Sequence, residues 1–140
     1  MAKILERKQQ LHDLLWELLP APLYCEATKG APLLCGGDPG LVAAQVTERG
    51  LKVFVYGVRW DGPFTPVSDH RKLCQLAWKE LPQELPALTI AVRGLVEAAI
   101  AVRQAQFIVC QYCCQATPPE WRHAARTCQS CAEKYLGVVH

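Results

Sequence analysis

Two Cys-x-x-Cys pairs, Cys110-Gln-Tyr-Cys113 and Cys128-Gln-Ser-Cys131, stand fourteen residues apart near the C-terminal end of this chain. A CxxC turn lets two thiolates converge on one ion while turn amides hydrogen-bond the sulfurs, and two such turns fill a tetrahedral four-cysteine site. Residues 107–140 are therefore predicted to form a zinc ribbon around one structural Zn2+ per chain, held by Cys110, Cys113, Cys128 and Cys131. Four protein ligands leave no open position for water, so the metal is expected to be structural rather than catalytic. Its binding energy becomes folding energy for a segment too short to hold itself together. Cys114 offers an alternative to Cys113 through a CxxxC arrangement, although CxxC geometry favours Cys113. His123 and His140 are possible substitute ligands that two complete CxxC pairs make unnecessary. Trp121 and Tyr135 are expected to pack against the knuckles, since so small a module needs large apolar side chains to bury.

The remaining 106 residues are enough for a core of their own, because 51% of the 140-residue chain is hydrophobic. Residues 2–19 place Ile4, Leu11, Leu14, Leu15, Leu18 and Leu19 near helical spacing, and Pro20 stops the pattern. Short strands are predicted around Leu23–Cys25 and Leu33–Cys35. Gly36-Gly37-Asp38-Pro39-Gly40 then has the marks of a helix start, with Asp38 as cap, Pro39 at the first position and Gly50 as the stop. Leu51–Trp60 is rich in β-branched and aromatic residues and reads as the best strand. Together these suggest a βαβ-like unit. Ser68 is placed to cap a helix over about Asp69–Leu81, ended by Pro82 and Pro86. Thr89–Val92 suits strand or helix, and Leu95, Ala98, Ala99, Val102 and Ala105 form a helical stripe before a short strand at Phe107–Val109. The expected architecture is α+β or small α/β: one compact domain at 1–106 followed by the ribbon at 107–140.

Charge narrows the partners. Fifteen Lys and Arg stand against thirteen Asp and Glu, spread evenly, so no segment carries the electrostatic footprint of phosphate-backbone binding, although Arg59, Arg71 and Lys72 could gather on a folded surface. The longest apolar tract, Leu95–Val109, is broken by Glu97, Arg103, Gln104 and Gln106, which argues against a membrane span. Glu6, Arg7, Lys8, Gln9 and Gln10 stand where a signal peptide has its hydrophobic region. A cytoplasmic location is expected, with eight cysteines serving as ligands and buried thiols rather than disulfides.

Weaker constellations exist. Cys25, Cys35, His70 and Cys74 form a candidate second metal site, because His70 and Cys74 would share a helix face and the other two end neighbouring strands; three core thiols is the plainer reading. Gly36, Gly37 and Gly40 ahead of a helix could bind an anion, although Asp38 would oppose a phosphate. The same fragment is similar to the Gly-Asp turn of PIN-like nucleases, which need clustered carboxylates; here only Asp38, Asp61 and Asp69 lie near strand ends. Asp69, His70 and Cys74 would sit on successive turns of one helix, a poor arrangement for a thiol nucleophile and its base. No catalytic residue is assigned.

Tyr56-Gly57, Asp61-Gly62-Pro63-Phe64, Arg71-Lys72-Leu73, the alanine-rich helix and Gln106-Phe107 ahead of Cys110-Gln-Tyr-Cys113, with Ala116-Thr117 following, resemble the N-terminal accessory region and zinc ribbon of Nudix-family NADH pyrophosphatases. Cys114 stands where that family usually has Gly, and the Nudix box is absent. The resemblance implies a stand-alone accessory module without hydrolase activity. A second segment, Cys110-x2-Cys113 followed by Thr117-Pro118-Pro119-Glu120-Trp121-Arg122 and Ala125-Arg126-Thr127-Cys128, is similar to the finger of DksA/TraR-type regulators of RNA polymerase. The leading functional reading is a non-catalytic zinc-binding interaction module that docks on a protein or nucleoprotein assembly. A nucleotide-binding enzyme or enzyme subunit using Gly36–Gly40, and a nucleic-acid-binding or polymerase-associated regulator, are the alternatives.

Overall fold

A computed structural model describes residues 2–124 and 126–137. The chain begins with α1 (Ala2–Leu18) and continues through the strands β1 (Leu23–Glu26), β2 (Leu33–Gly36), β3 (Val42–Thr47), β4 (Gly50–Val55), β5 (Val58–Trp60), β6 (Pro66–Ser68) and β7 (Arg71–Ala77). Helix α2 (Leu85–Ala105) follows, then β8 (Ile108–Val109), β9 (Ala116–Thr117), β10 (Arg122–Ala124), β11 (Thr127–Cys128) and α3 (Gln129–Leu136). The main sheet runs β1-β2-β3-β4-β7 with every neighbour antiparallel, and β5-β6, β8-β9 and β10-β11 are separate two-stranded ribbons. The fold is α+β, one compact domain.

Both long helices cover one face of the sheet. Leu11, Leu14 and Leu15 of α1 and Leu88, Val92, Val96 and Ala99 of α2 pack on Leu34, Val42, Ala44, Val46, Leu51, Val53 and Val55. These sheet residues sit at every second position of their strands, so the pleat aims all of them at the helices. Each fully buried Leu or Val contributes roughly 1.5–3 kcal/mol. Helix α2 has the length and composition of a membrane span, with an 18-residue window of mean hydropathy 1.7. Its Leu88, Val92, Val96, Ala99 and Arg103 stripe is nonetheless buried within the protein. Pro86, expected to end a helix, instead lies in the first turn of α2, where a missing amide N–H costs nothing.

Two expected helices are strands. Residues 36–40 form a tight turn between β2 and β3, closed by the Leu41 N–H bond to the Gly36 carbonyl (2.9 Å), and no helix follows. Val42, Ala44 and Val46 satisfy a period of two as well as Val42, Ala43 and Val46 satisfy a helical one, and pairing on both sides, with β2 and β4, selects the strand. The βαβ-like unit is therefore replaced by an antiparallel meander. Gly50 opens β4 rather than stopping a helix; a Cβ there would lie 2.0 Å from the Leu76 carbonyl oxygen, so β7 can approach only a glycine. The segment predicted as a helix over Asp69–Leu81 is mostly β7. A register shift between Val53 and Phe54 leaves Leu73 as an extra, 38%-exposed residue in β7, and this bulge hides the alternation of a strand. The expected Leu51–Trp60 strand is broken at Tyr56-Gly57 into β4 and β5, so the β5-β6 ribbon forms its own small sheet.

Candidate metal centre

The β8-β9 ribbon carries the first cysteine pair in its loop. The Cys110 N–H bonds the Gln115 carbonyl (3.0 Å) and the Cys114 N–H bonds the Cys110 carbonyl (2.9 Å), winding the chain into a knuckle. The second pair spans the junction of β11 and α3, where Cys128 is the N-cap and its Sγ accepts the Cys131 N–H at 3.5 Å. Two bonds clamp the knuckles together: Gln111 N–H to the Arg126 carbonyl (2.8 Å) and Gln111 Nε2 to Thr127 Oγ1 (2.9 Å). Tyr135 of α3 stacks on Tyr112 of the first knuckle, with centroids 5.0 Å apart and planes 16° apart, and Trp121, half-exposed like Tyr135, lines a cavity together with Cys113, Cys128 and Cys131.

The result is a cluster in which the Sγ atoms of Cys110, Cys113, Cys128 and Cys131 all lie within 4.8 Å of one another. Sulfurs at tetrahedral corners around zinc, with bonds of about 2.3 Å, are separated by about 3.8 Å; Cys113 Sγ and Cys128 Sγ are 3.9 Å apart. Backbone amides of Cys113 and Cys128 pull the Cys110 thiol down to about 6. Burial, then the sulfurs of Cys128, Cys110 and Cys113, push Cys131 up to about 12. Four thiolates this close repel one another unless a cation lies between them. The site is thus placed to hold a metal ion, its donor set is compatible with Zn2+, and four protein ligands close it to substrate.

Cys114 is outside this cluster, exposed, with φ at 59°. The CxxxC alternative is therefore not formed: the knuckle needs a left-handed residue after Cys113, which turns the Cys114 side chain away. That conformation costs a non-glycine residue roughly 1–2 kcal/mol. Cys114→Gly is expected to keep one metal per chain and to raise stability by about 1 kcal/mol, part of the relief being offset by glycine's freedom in the unfolded chain; thermal unfolding beside metal analysis checks both. His123 lies on β10 outside the four-sulfur group, and His140 lies outside the described residues.

The second candidate metal set is only half assembled. Cys25 pairs with Leu34 and Cys74 with Val53, both on the helix-covered face, while Cys35 pairs with Tyr24 and Ala43 on the opposite face. His70 precedes β7 rather than riding a helix, so it shares no helical face with Cys74. Cys35 and His70 instead meet Glu26, which sequence reasoning missed because nothing local marks it. Glu26 Oε1 lies 3.6 Å from Cys35 Sγ and 3.2 Å from His70 Nε2, and Ser68 Oγ donates to Oε2 at 2.8 Å. The Gly57 N–H occupies His70 Nδ1 at 3.1 Å, which assigns the ring proton to Nε2, facing Glu26. Burial opposes ionisation of Glu26, but the bonds from Ser68 and His70 and the attraction of His70 outweigh it and lower its pKa. Burial, reinforced by Glu26, raises Cys35 to about 12. A protonated thiol and a proton-bearing Nε2 make this a satisfied hydrogen-bond network that ties the β5-β6 ribbon to β1.

Gly36, Gly37 and Gly40 do not form an anion cradle. No helix N-terminus follows them, the Gly37 N–H is spent on the Pro22 carbonyl at 3.0 Å, and the Gly40 carbonyl accepts Arg103 Nε at 2.9 Å. Arg103, 1% exposed, also forms a two-pronged ion pair with Glu120 of the C-terminal module, its Nη1 lying 3.2 Å from Oε2 and its Nη2 in contact with Oε1. Its guanidinium sits between the Tyr56 and Phe107 rings, 5.4 and 5.2 Å from their centroids. In the sequence Arg103 appeared only as an interruption of an apolar tract; a lone charge on the buried stripe of α2 was the available signal. Trp60 Nε1–H adds a bond to the Glu120 carbonyl at 3.0 Å, so Glu120 ties the module both to α2 and to the β5-β6 ribbon. No family model, curated protein or solved structure matches this chain.

Proposed function

We propose that this protein is a non-catalytic zinc-binding module that docks on a protein or nucleoprotein assembly, the ion serving to shape the docking surface. The observation that carries the reading is the closed four-sulfur cluster, which offers a metal no position for substrate. The bolt from Arg103 and Trp60 to Glu120 supports it as well, since it fixes the module against α2 and the β5-β6 ribbon and lets them present one rigid surface. The likeness of residues 56–117 to an accessory region and ribbon fits an accessory role.

Protein purified without added metal is expected to carry one zinc per chain by elemental analysis beside native mass; absence of zinc sinks the reading. Partners are then captured with the wild-type chain and with Cys128→Ser. Those that need the module are lost with the metal, and a partner set unchanged by the substitution assigns docking to the sheet instead.

A further inference from the structure

A cleft of about 340 Å³ opens between the residue 36–40 turn and the C-terminal module. Tyr24, Tyr56, Trp60 and Trp121 line it, and its charged lining residues are Asp38 and Glu120, with no Lys, Arg or His. We propose that this cleft receives the ammonium group of a lysine side chain on a partner protein. The proposal rests on the docking reading above and names the chemistry of the partner.

Aromatic rings attract a cation through the negative potential of their faces, most strongly when the site is held open and partly dry. Trp60 and Trp121 are 43% and 45% exposed, and Trp60 is anchored by its bond to the Glu120 carbonyl. The two tyrosines meet edge to face, with centroids 6.5 Å apart and planes at 78°. A Cβ on Gly40 would fall 2.4 Å from the Tyr56 ring, so the turn is pressed against that wall and carries Asp38 at its tip.

Charge selects the occupant. Arg103 already lies over the Tyr56 ring, and its charge is matched by Glu120, whose two oxygens it fills. Asp38 is exposed and has no hydrogen-bond or ion-pair partner among the described residues, so the cleft keeps one uncompensated carboxylate. An anion meets that carboxylate, and the Gly37 and Leu41 amides of the turn are already bonded, to the Pro22 and Gly36 carbonyls. A stacked nucleotide strand needs a basic track for its phosphates, which this lining lacks. A lysine supplies a slim alkyl stem for the apolar walls and a point charge for the rings and Asp38.

The test is titration of zinc-loaded protein with acetyl-Ala-Ala-Lys-Ala-Ala-amide and with the same peptide carrying norleucine, which keeps the stem and removes the charge. The indole N–H resonances of Trp60 and Trp121 are followed by NMR. The lysine peptide is expected to shift both signals saturably in the millimolar range, with the norleucine peptide about 10-fold weaker or silent. Asp38→Asn, at an exposed position, and Trp121→Leu, which keeps bulk but removes the ring, are each expected to weaken the lysine peptide about 5-fold with zinc content unchanged. Equal binding of the two peptides, or no saturable shift of either indole, overturns the proposal. Should that occur while partner capture still depends on zinc, the docking reading stands and the lysine assignment alone falls.

Discussion

Cys128→Ser is expected to release the zinc and to unfold the segment from β8 through α3 while the five-stranded sheet and its two helices remain folded. Cys128 has three jobs: its Sγ belongs to the four-sulfur cluster, the same atom caps α3 by accepting the Cys131 N–H, and its own N–H bonds Cys110 Sγ at 3.4 Å. Serine is a good N-cap and keeps the backbone N–H, so the substitution preserves two of the three and removes the thiolate. Structural zinc sites of this type supply roughly 10–16 kcal/mol at neutral pH, against a total stability of about 5–15 kcal/mol for an ordinary domain. The hydrophobic core comprises residues 11–99 together with their packing neighbours, so it does not extend into the ribbons that carry the cysteines. Hydrogen exchange is expected to show residues 108–136 unprotected and β3 and β4 still slow, beside a zinc content near zero. Protection retained in α3 without metal would mean that packing, not the ion, folds the module. Cys114→Ser is the control, since it changes a neighbouring thiol that stands outside the cluster.

The four-cysteine cluster was legible because its rule is local: two short spacings specify two knuckles whatever the rest of the chain does. Helix α1, β1 and β2 were legible for a similar reason, their periodicity being broken cleanly by Pro20 and by turn residues. Residues 36–50 and 69–81 misled because tertiary pairing decides them. Val42, Ala43 and Val46 satisfy a helical spacing as well as Val42, Ala44 and Val46 satisfy a strand, and only the strands on both sides choose. In β7 the bulge at Leu73 erases the alternation that a sequence reader counts. The groupings that depend on those segments failed with them. His70 and Cys74 lost their shared helix face, the glycines lost their helix, and Glu26 became Cys35's neighbour through a sheet register that no local pattern records.

Arg103→Met is expected to destabilise the protein by about 3–5 kcal/mol, the cost of leaving a buried carboxylate without its partner. The substitution keeps most of the stem volume between the Tyr56 and Phe107 rings, so the loss reports mainly on Glu120 and on the Gly40 carbonyl. Adding Glu120→Gln removes the stranded charge and should restore most of the stability; the residual of about 1 kcal/mol is the hydrogen bond to Gly40 that methionine cannot make. Denaturant unfolding of wild type, both single variants and the double variant closes the cycle, and a coupling energy below about 1 kcal/mol would show that the pair is not the bolt between α2 and the module. The single variant has a second expected signature. Trp60 and Arg103 both reach Glu120, so losing the arginine leaves the module held by the indole bond and surface contacts. Calorimetry should then resolve two transitions where the wild type is expected to show one, with zinc content expected to stay at one per chain, because Arg103 is not among the four residues placed to hold a metal.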